Sequence, residues 1–384
     1  MLHKIKKFDL VLVCVNFRWH PYYLNIVKEL VKNISVCLYF VEKTKTKKLK
    51  ATEEIYVNKC KEYGASVLME GDECSCKLMV LLQSYLIRER LHFIKNIDYQ
   101  KVFIIQRLEH TNRLVGLKPL QENFELGAKY LWVYNKDELY SMIRIKNLEK
   151  IYKEMEISVV EFPFKKYPAL NFSDLEIDYI VAYPSQLFLK DNRNKLNLFC
   201  NMRRLLKMIP NEKKVYIKQH NVSDNSNKLN QSVSKYKSIF VFEFIFLFMK
   251  MVIKKLLGRE TKLSDALHDY KIKIARQYIE KRAIPLSDVT KYHNINIEHF
   301  LPFVKEGLIT GISTSIYHAL DNKLPVYNCD SQPITKELPN YDVIKNYLIP
   351  SCNGELKFDT AYCDIIRSKE KKHDIIELLR GEFK

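Results

Sequence analysis

Strand-length apolar runs recur along this 384-residue chain at intervals that leave room for a helix between successive runs. They fall at 9–16, 34–40, 65–69, 101–106, 130–134, 178–183, 213–218, 307–311 and 324–328, and alternate with helical stretches that include Tyr22 to Val31 and Met79 to Leu91. A hydrophobic strand followed by an amphipathic helix buries itself by laying the helix across a parallel sheet. The alternation therefore predicts an α/β chain with helices on both sheet faces. The length exceeds what one core usually fills, so two domains are predicted. The connection Phe162-Pro163-Phe164-Lys165-Lys166-Tyr167-Pro168 sets their boundary near 160–175, giving domains at 1–165 and 166–384. A hydrophobic content of 47% with only 9 glycines leaves little room for long disorder.

The net charge of +18 and pI near 9.3 call for an anionic partner: nucleic acid, a membrane face or an acidic glycan. The sequence holds no zinc finger, RNP-like aromatic motif or GxxG clamp, which argues against nucleic acid. The run from Lys235 to Lys255 is rich in phenylalanine and flanked by lysines, but Glu243 and Lys250 interrupt it. A spanning helix needs about 20 mostly apolar residues. The segment near 235–260 thus suits an anionic membrane surface, as an insertion into the second domain. A core helix or a homodimer contact fits it equally. Nine cysteines without a CxxC framework, Cys74 and Cys76 included, fit a reducing cytoplasm and no zinc site. Met1-Leu2-His3-Lys4-Ile5-Lys6-Lys7 leads into a strand rather than a leader, so a cytoplasmic protein, peripheral to the inner face of a bacterial membrane, is expected.

Two stretches carry candidate chemistry. Thr310-Gly311-Ile312-Ser313-Thr314-Ser315 follows the apolar strand Glu306 to Thr310 and precedes a helical pattern opened by Ile316. Unpaired N–H groups at a helix start, together with the hydroxyls of Ser313, Thr314 and Ser315, suit an anionic oxygen. Taken alone, the same residues are an ordinary N-cap. Lys213-Lys214-Val215-Tyr216-Ile217-Lys218-Gln219-His220-Asn221 reads as a strand that brings Lys218 and His220 to its carboxyl end, where open α/β sheets bind ligands. G-x-G-x-x-G and G-x-x-x-x-G-K-[ST] are both absent, so dinucleotide and P-loop readings have no support.

In this order, Lys218-Gln219-His220 and Ser313-Thr314 resemble the Lys-x-His-Pro and Ser-Ser/Thr motifs of bacterial sialyltransferases of the lipooligosaccharide and polysialic acid types. Asn221 replaces the family's proline. Ile180 to Phe188 resembles the first strand of that family's nucleotide domain. Ile284-Pro285-Leu286-Ser287-Asp288 resembles its Ile-Pro-x-Glu segment, with Pro285 in place and Asp288 as a substitute for the carboxylate that Ser287 lacks. Asp9 to Leu24 resembles its first strand, loop and helix. The resemblance implies a GT-B-like fold, two Rossmann-like domains facing a cleft, and an inverting, metal-independent transfer of sialic acid from CMP-sialic acid to a cell-surface glycan or glycolipid, with no cofactor. In that scheme His220 is the acid or phosphate-stabilising group. Lys218, Gly311, Ser313, Thr314, Ser315, Pro285 and Asp288 bind the nucleotide and its phosphate.

The same family takes its base from an acidic motif after a first-domain strand. Asp137 and Glu138 stand there after Tyr130 to Tyr134, without the family's glycine. Glu109 follows another strand, and Asp191 matches relatives that draw the base from the nucleotide domain. The order of preference is Asp137, then Glu138 and Glu109, then Asp191; each also fits a solvated helix-start carboxylate. Two other functions stay open: a GT-B transferase using another activated sugar or polyol phosphate, and a non-catalytic glycan-assembly or membrane-scaffold relative.

Overall fold

The architecture comes from a computed structural model that describes residues 5–14, 20–41, 47–82, 95–106, 130–133, 153, 156–161, 164–183, 192–218, 249, 263–290, 295–311, 315–329, 348–350 and 373–384. These residues form two units. The first holds the described residues up to Asn171 together with 373–384, and the second those from Phe172 to 350.

In the first unit, strands β1 (Lys6–Cys14), β2 (Val36–Phe40), β3 (Ser66–Met69), β4 (Cys74–Leu82), β5 (Ile97–Gln106), β6 (Tyr130–Val133), β7 (Glu156–Glu161) and β14 (His373–Asp374) make one sheet. Its order is β14-β7-β6-β5-β4-β1-β2-β3, and every pair is parallel. Leu10 to Cys14 and all of β2 are buried on both faces, which is why they read as unbroken apolar runs without alternation. Helix α1 (His20–Leu30) buries Tyr22, Tyr23, Ile26, Val27 and Leu30, and the Tyr23 hydroxyl donates to the Val13 carbonyl. Helix α2 (Lys47–Glu62) packs against α1 and β3.

The second unit orders its strands β10-β9-β8-β11-β12-β13, again all parallel. They are β8 (Ile177–Ala182), β9 (Val215–Lys218), β10 (Ile284–Pro285), β11 (Val304–Thr310), β12 (Val326–Asn328) and β13 (Leu348–Pro350). Helices α3 (Asn192–Met208) and α4 (Leu263–Arg282) pack on each other over one face. Leu198, Met202, Leu205, Ile272, Ala275 and Ile279 meet Tyr179, Val181, Val215, Ile217 and Ile309 there. Numbered from its first strand, this sheet runs 3-2-1-4-5-6, the Rossmann order, and the first unit's sheet runs 3-2-1 then 4 to 7 before β14 is added at its edge. The α/β expectation, with two Rossmann-like sheets, holds. Each chain half first winds outward on one side of its opening strand and then on the other.

Three expectations change. Met79 to Leu91 was expected to be helical, yet Met79 to Leu82 complete β4, whose neighbours β1 and β5 shield it on both edges; 83–91 lie outside the described residues. Its Met-Val-Leu-Leu run has no period that separates a buried strand from a helix. Around 137–156 the sequence also reads as a long helical stretch, but Glu156 opens β7; 137–152 and 154–155 lie outside the described residues. Finally, 373–384 do not join the second unit. His373 pairs with Val160 and Asp374 with Glu161, and helix α7 (Ile375–Gly381) buries Ile375, Ile376 and Leu379. Two strand residues and two helical turns are too short to give a periodic signal.

Electrostatics fasten that return. The Asp374 carboxylate accepts from the N–H groups of Ile376 at 2.9 Å and Glu377 at 3.4 Å. Arg380 reaches the buried Glu29 of α1 at 3.0 Å, Lys166 reaches Asp374 at 3.0 Å, and Lys101 reaches Glu382 at 2.6 Å. Because Asp374 is both N-cap and ion-pair partner, Asp374→Ala is expected to cost about 1–2 kcal/mol. Urea denaturation and amide exchange across 375–381 measure the loss.

One glycine is required by contact. A Cβ at Gly307 would overlap the Tyr327 ring and approach the Pro325 carbonyl at 3.1 Å. Gly307→Ala is therefore expected to destabilise the second unit by about 1–3 kcal/mol through overpacking, seen as a lower melting temperature.

Candidate functional site

The strands that lead into the two sequence motifs end at the carboxyl edge of the second unit's sheet. Ala182 ends β8, and in register it lies between Lys218 of β9 and Thr310 of β11. Asn328 and Pro350 extend the row beyond Thr310, while Pro285 of the edge strand pairs with Ile217 beside Lys218. Neighbouring strands are about 4.8 Å apart, so the Lys218 and Thr310 backbones stand about 9–10 Å from each other with Ala182 between them. Strand side chains alternate faces. Since Val181, Ile217 and Ile309 point at α3 and α4, the row of Lys218, Ala182 and Thr310 points to the opposite face.

This edge is also the topological switch point. From β8 the chain passes to β9 and β10 on one side, and β11 to β13 occupy the other. Such a switch point is where open α/β sheets leave a crevice above the strand ends, between helices on opposite faces. Backbone bonds pin both lips: Tyr183 N–H donates to Lys218 O at 3.1 Å, and Cys329 N–H donates to Thr310 O at 2.9 Å.

Of the sequence candidates, Lys218 is buried at 7% exposure, despite its charge. Gly311 is buried one residue beyond β11, and Ser315 is buried as the first residue of α6 (Ser315–Asp321). Pro285 is half-buried. Asp288 is exposed on the single helical turn α5 (Leu286–Val289), where Ser287 Oγ donates to it at 3.0 Å. His220, Ser313, Thr314, Asp137, Glu138, Glu109 and Asp191 lie outside the described residues, as does nearly all of 235–260.

Residues that the motifs did not flag also line this edge. Thr310 is 1% exposed, and its hydroxyl finds no hydrogen-bond partner among the described residues. Its signal was present, a polar residue ending an apolar strand just before glycine. Tyr183 lies against Phe199 edge to face, with ring centroids 5.5 Å apart. Burial pushes its phenol up; the Glu280 carboxylate adds to this and Arg276 opposes it. Burial likewise raises Glu280, against the pull of Arg276 at 3.8 Å. This cluster joins residues about a hundred positions apart, which no local pattern reveals.

Beneath α6, the turn Ile297–His299 buries Glu298 and His299, and His318 of α6 is buried nearby. Burial first, and His318 second, hold the His299 imidazole down at about 3. In the unfolded chain it titrates near 6.5, so between about 6.5 and 3 the unfolded state binds the extra proton. Stability from the neutral ring is complete above 6.5 and declines as pH falls through that window. His299→Leu is expected to flatten the fall of melting temperature between about pH 6.5 and 4, with other acid-sensitive groups unchanged.

Among the described residues, no three His, Cys, Asp or Glu side chains cluster to hold a metal ion, and no helix is long and apolar enough to cross a membrane.

The sequence matches no protein-family model and no curated protein. Solved structures do share its general outline. The UDP-GlcNAc 2-epimerase of Methanocaldococcus jannaschii aligns with 96% of this chain and 94% of its own at 9% identity and a TM-score of 0.46. A Staphylococcus aureus MnaA–UDP co-structure aligns over 98% and 90% at 10% identity and 0.44, and a glycosyltransferase from Rickettsia africae over 99% and 93% at 12% and 0.40. At those scores the likenesses carry no weight for function, which rests on the chain's own strand ends.

Proposed function

We propose that the chain is an inverting glycosyltransferase of GT-B type that moves sialic acid from CMP-sialic acid to a hydroxyl of a cell-surface glycan or glycolipid. The observation that supports this most is the strand register. The strand that leads into Lys218-Gln219-His220 and the strand that leads into Gly311 to Ser315 flank one central strand at the switch point. A nucleotide phosphate above Ala182 would lie between a buried ammonium and a stretch rich in hydroxyls and backbone N–H groups.

In this reading Lys218 neutralises the phosphate, and Ser313, Thr314 and Ser315 donate to it. Pro285 and Asp288 lie toward the nucleoside. His220 donates a hydrogen bond or proton to the departing CMP phosphate. A carboxylate, Asp137 before Glu138, Glu109 or Asp191, takes the proton from the acceptor hydroxyl as the oxocarbenium-like transition state forms. Acid and base would each contribute about 10²–10⁴ in rate. No step in this scheme calls for a metal. The acceptor would reach the enzyme at the inner face of the membrane.

Calorimetry with CMP, and transfer from CMP-sialic acid to galactose- and sialic-acid-ended acceptors, test the proposal. His220→Ala is expected to lower turnover at least about tenfold with an unchanged melting temperature. Undiminished turnover would remove His220 from the mechanism. Stabilisation by another nucleotide and not by CMP would shift the donor to another activated sugar or polyol phosphate. If no nucleotide binds, the enzyme reading fails.

A further inference from the structure

The α3 and α4 helices present to solvent a seam that the donor row does not use. On α4, Leu267, Lys271, Ile274 and Tyr278 follow each other at spacings of four, three and four residues, which places them in one stripe along the helix. On α3 the same spacing joins Leu196, Cys200, Arg203 and Lys207. The stripes face each other. The Arg203 guanidinium and the Lys207 ammonium both lie 5.8 Å from the centre of the Tyr278 ring. Arg203 and Lys271 both act on the Cys200 thiol, countering the upward push of its burial.

Charge is sorted along this seam. Helix α3 contains no carboxylate along its whole length, and its exposed Arg204 continues the basic side. Of the three acids of α4, Asp269 and Glu280 each sit two residues on from a stripe residue and Asp265 two residues before Leu267, in each case about 200° around the helix. Glu280 is moreover occupied by Arg276. The stripe also keeps apolar groups in reach of solvent: Leu267 is 43% exposed, and Leu196 and Tyr278 are only partly covered.

We propose that the α3–α4 seam is a docking surface for an anionic phospholipid membrane. Cations interleaved with an exposed leucine, an isoleucine and a tyrosine match the headgroup region, where lysine and arginine meet lipid phosphates while their stems and the apolar neighbours lie toward the acyl boundary. A surface serving nucleic acid phosphates alone gains nothing from an exposed leucine. The sequence entering α4 agrees, since the phenylalanine-rich run closes with Lys254-Lys255 eight residues before Leu263. The inference goes beyond the donor reading and uses none of its residues.

The test is co-sedimentation of the full chain with vesicles of phosphatidylcholine alone or with about 30% phosphatidylglycerol. Binding is expected only to the anionic vesicles, with release at about 0.5 M NaCl. The triple variant Arg204→Gln, Lys207→Gln, Lys271→Gln changes exposed side chains, and is expected to weaken partitioning by more than about tenfold, at roughly fivefold per cation. Its melting temperature and CMP affinity should stay at wild-type values, which separates this surface from the donor site. Lys213→Gln with Lys214→Gln, at the amino edge of the sheet, should bind vesicles as wild type does. Wild-type partitioning by the triple variant overturns the proposal. So does a loss confined to Lys250→Gln, Lys254→Gln, Lys255→Gln, or binding of an oligonucleotide in place of vesicles.

Discussion

Strand β8 is hydrogen-bonded along both edges, to β9 and to β11, and this double pairing is the constraint from which the second unit's geometry follows. Ile177, Ile180 and Val181 have no exposure at all, so a one-residue slip against either neighbour would turn an apolar row toward the wrong layer. Register is therefore strongly specified. With it comes the alignment of Lys218, Ala182 and Thr310, because the same ladder that buries the strand's middle sets where its carboxyl end stops. A small residue in the centre, flanked by an ammonium and a hydroxyl, is a by-product of that ladder that a ligand can use.

The two sheets solve the same packing problem with the same winding, yet they differ at their margins. The first unit's sheet is extended by β14 beyond β7, whereas the second closes on the two-residue strand β10 and the helical turn after Pro285. Proline tolerates that edge position, since its nitrogen has no hydrogen to donate. The basic surface of the molecule is also uneven. Lys213 and Lys214 are paired with Glu306 and Glu176 at the amino edge, while the cations of the α3–α4 seam rest over an aromatic ring with no carboxylate on α3. Net charge alone does not separate these two situations; helical spacing does.

Much of the architecture was legible because buried parallel strands leave unbroken apolar runs. Val36 to Phe40 and Val215 to Lys218 declared themselves in this way. Met79 to Leu82 did not, since leucine and methionine serve a buried strand and a buried helix equally well. The strand carrying Lys218 and the glycine after Thr310 were legible from residue type and position. The pairing of Tyr183 with Arg276 and Glu280 and the His299–His318 neighbourhood were not. They depend on which distant elements touch, and only the topology supplies that.

The return of 373–384 to β7 has a consequence for biosynthesis. A nascent chain emerging from the ribosome can complete the second sheet while the first still lacks its border strand. Until residues 373–384 have been made, β7 offers an open rim of peptide groups to any passing extended segment. A chaperone that shields strand edges would matter more here than for a protein whose domains mature one after the other.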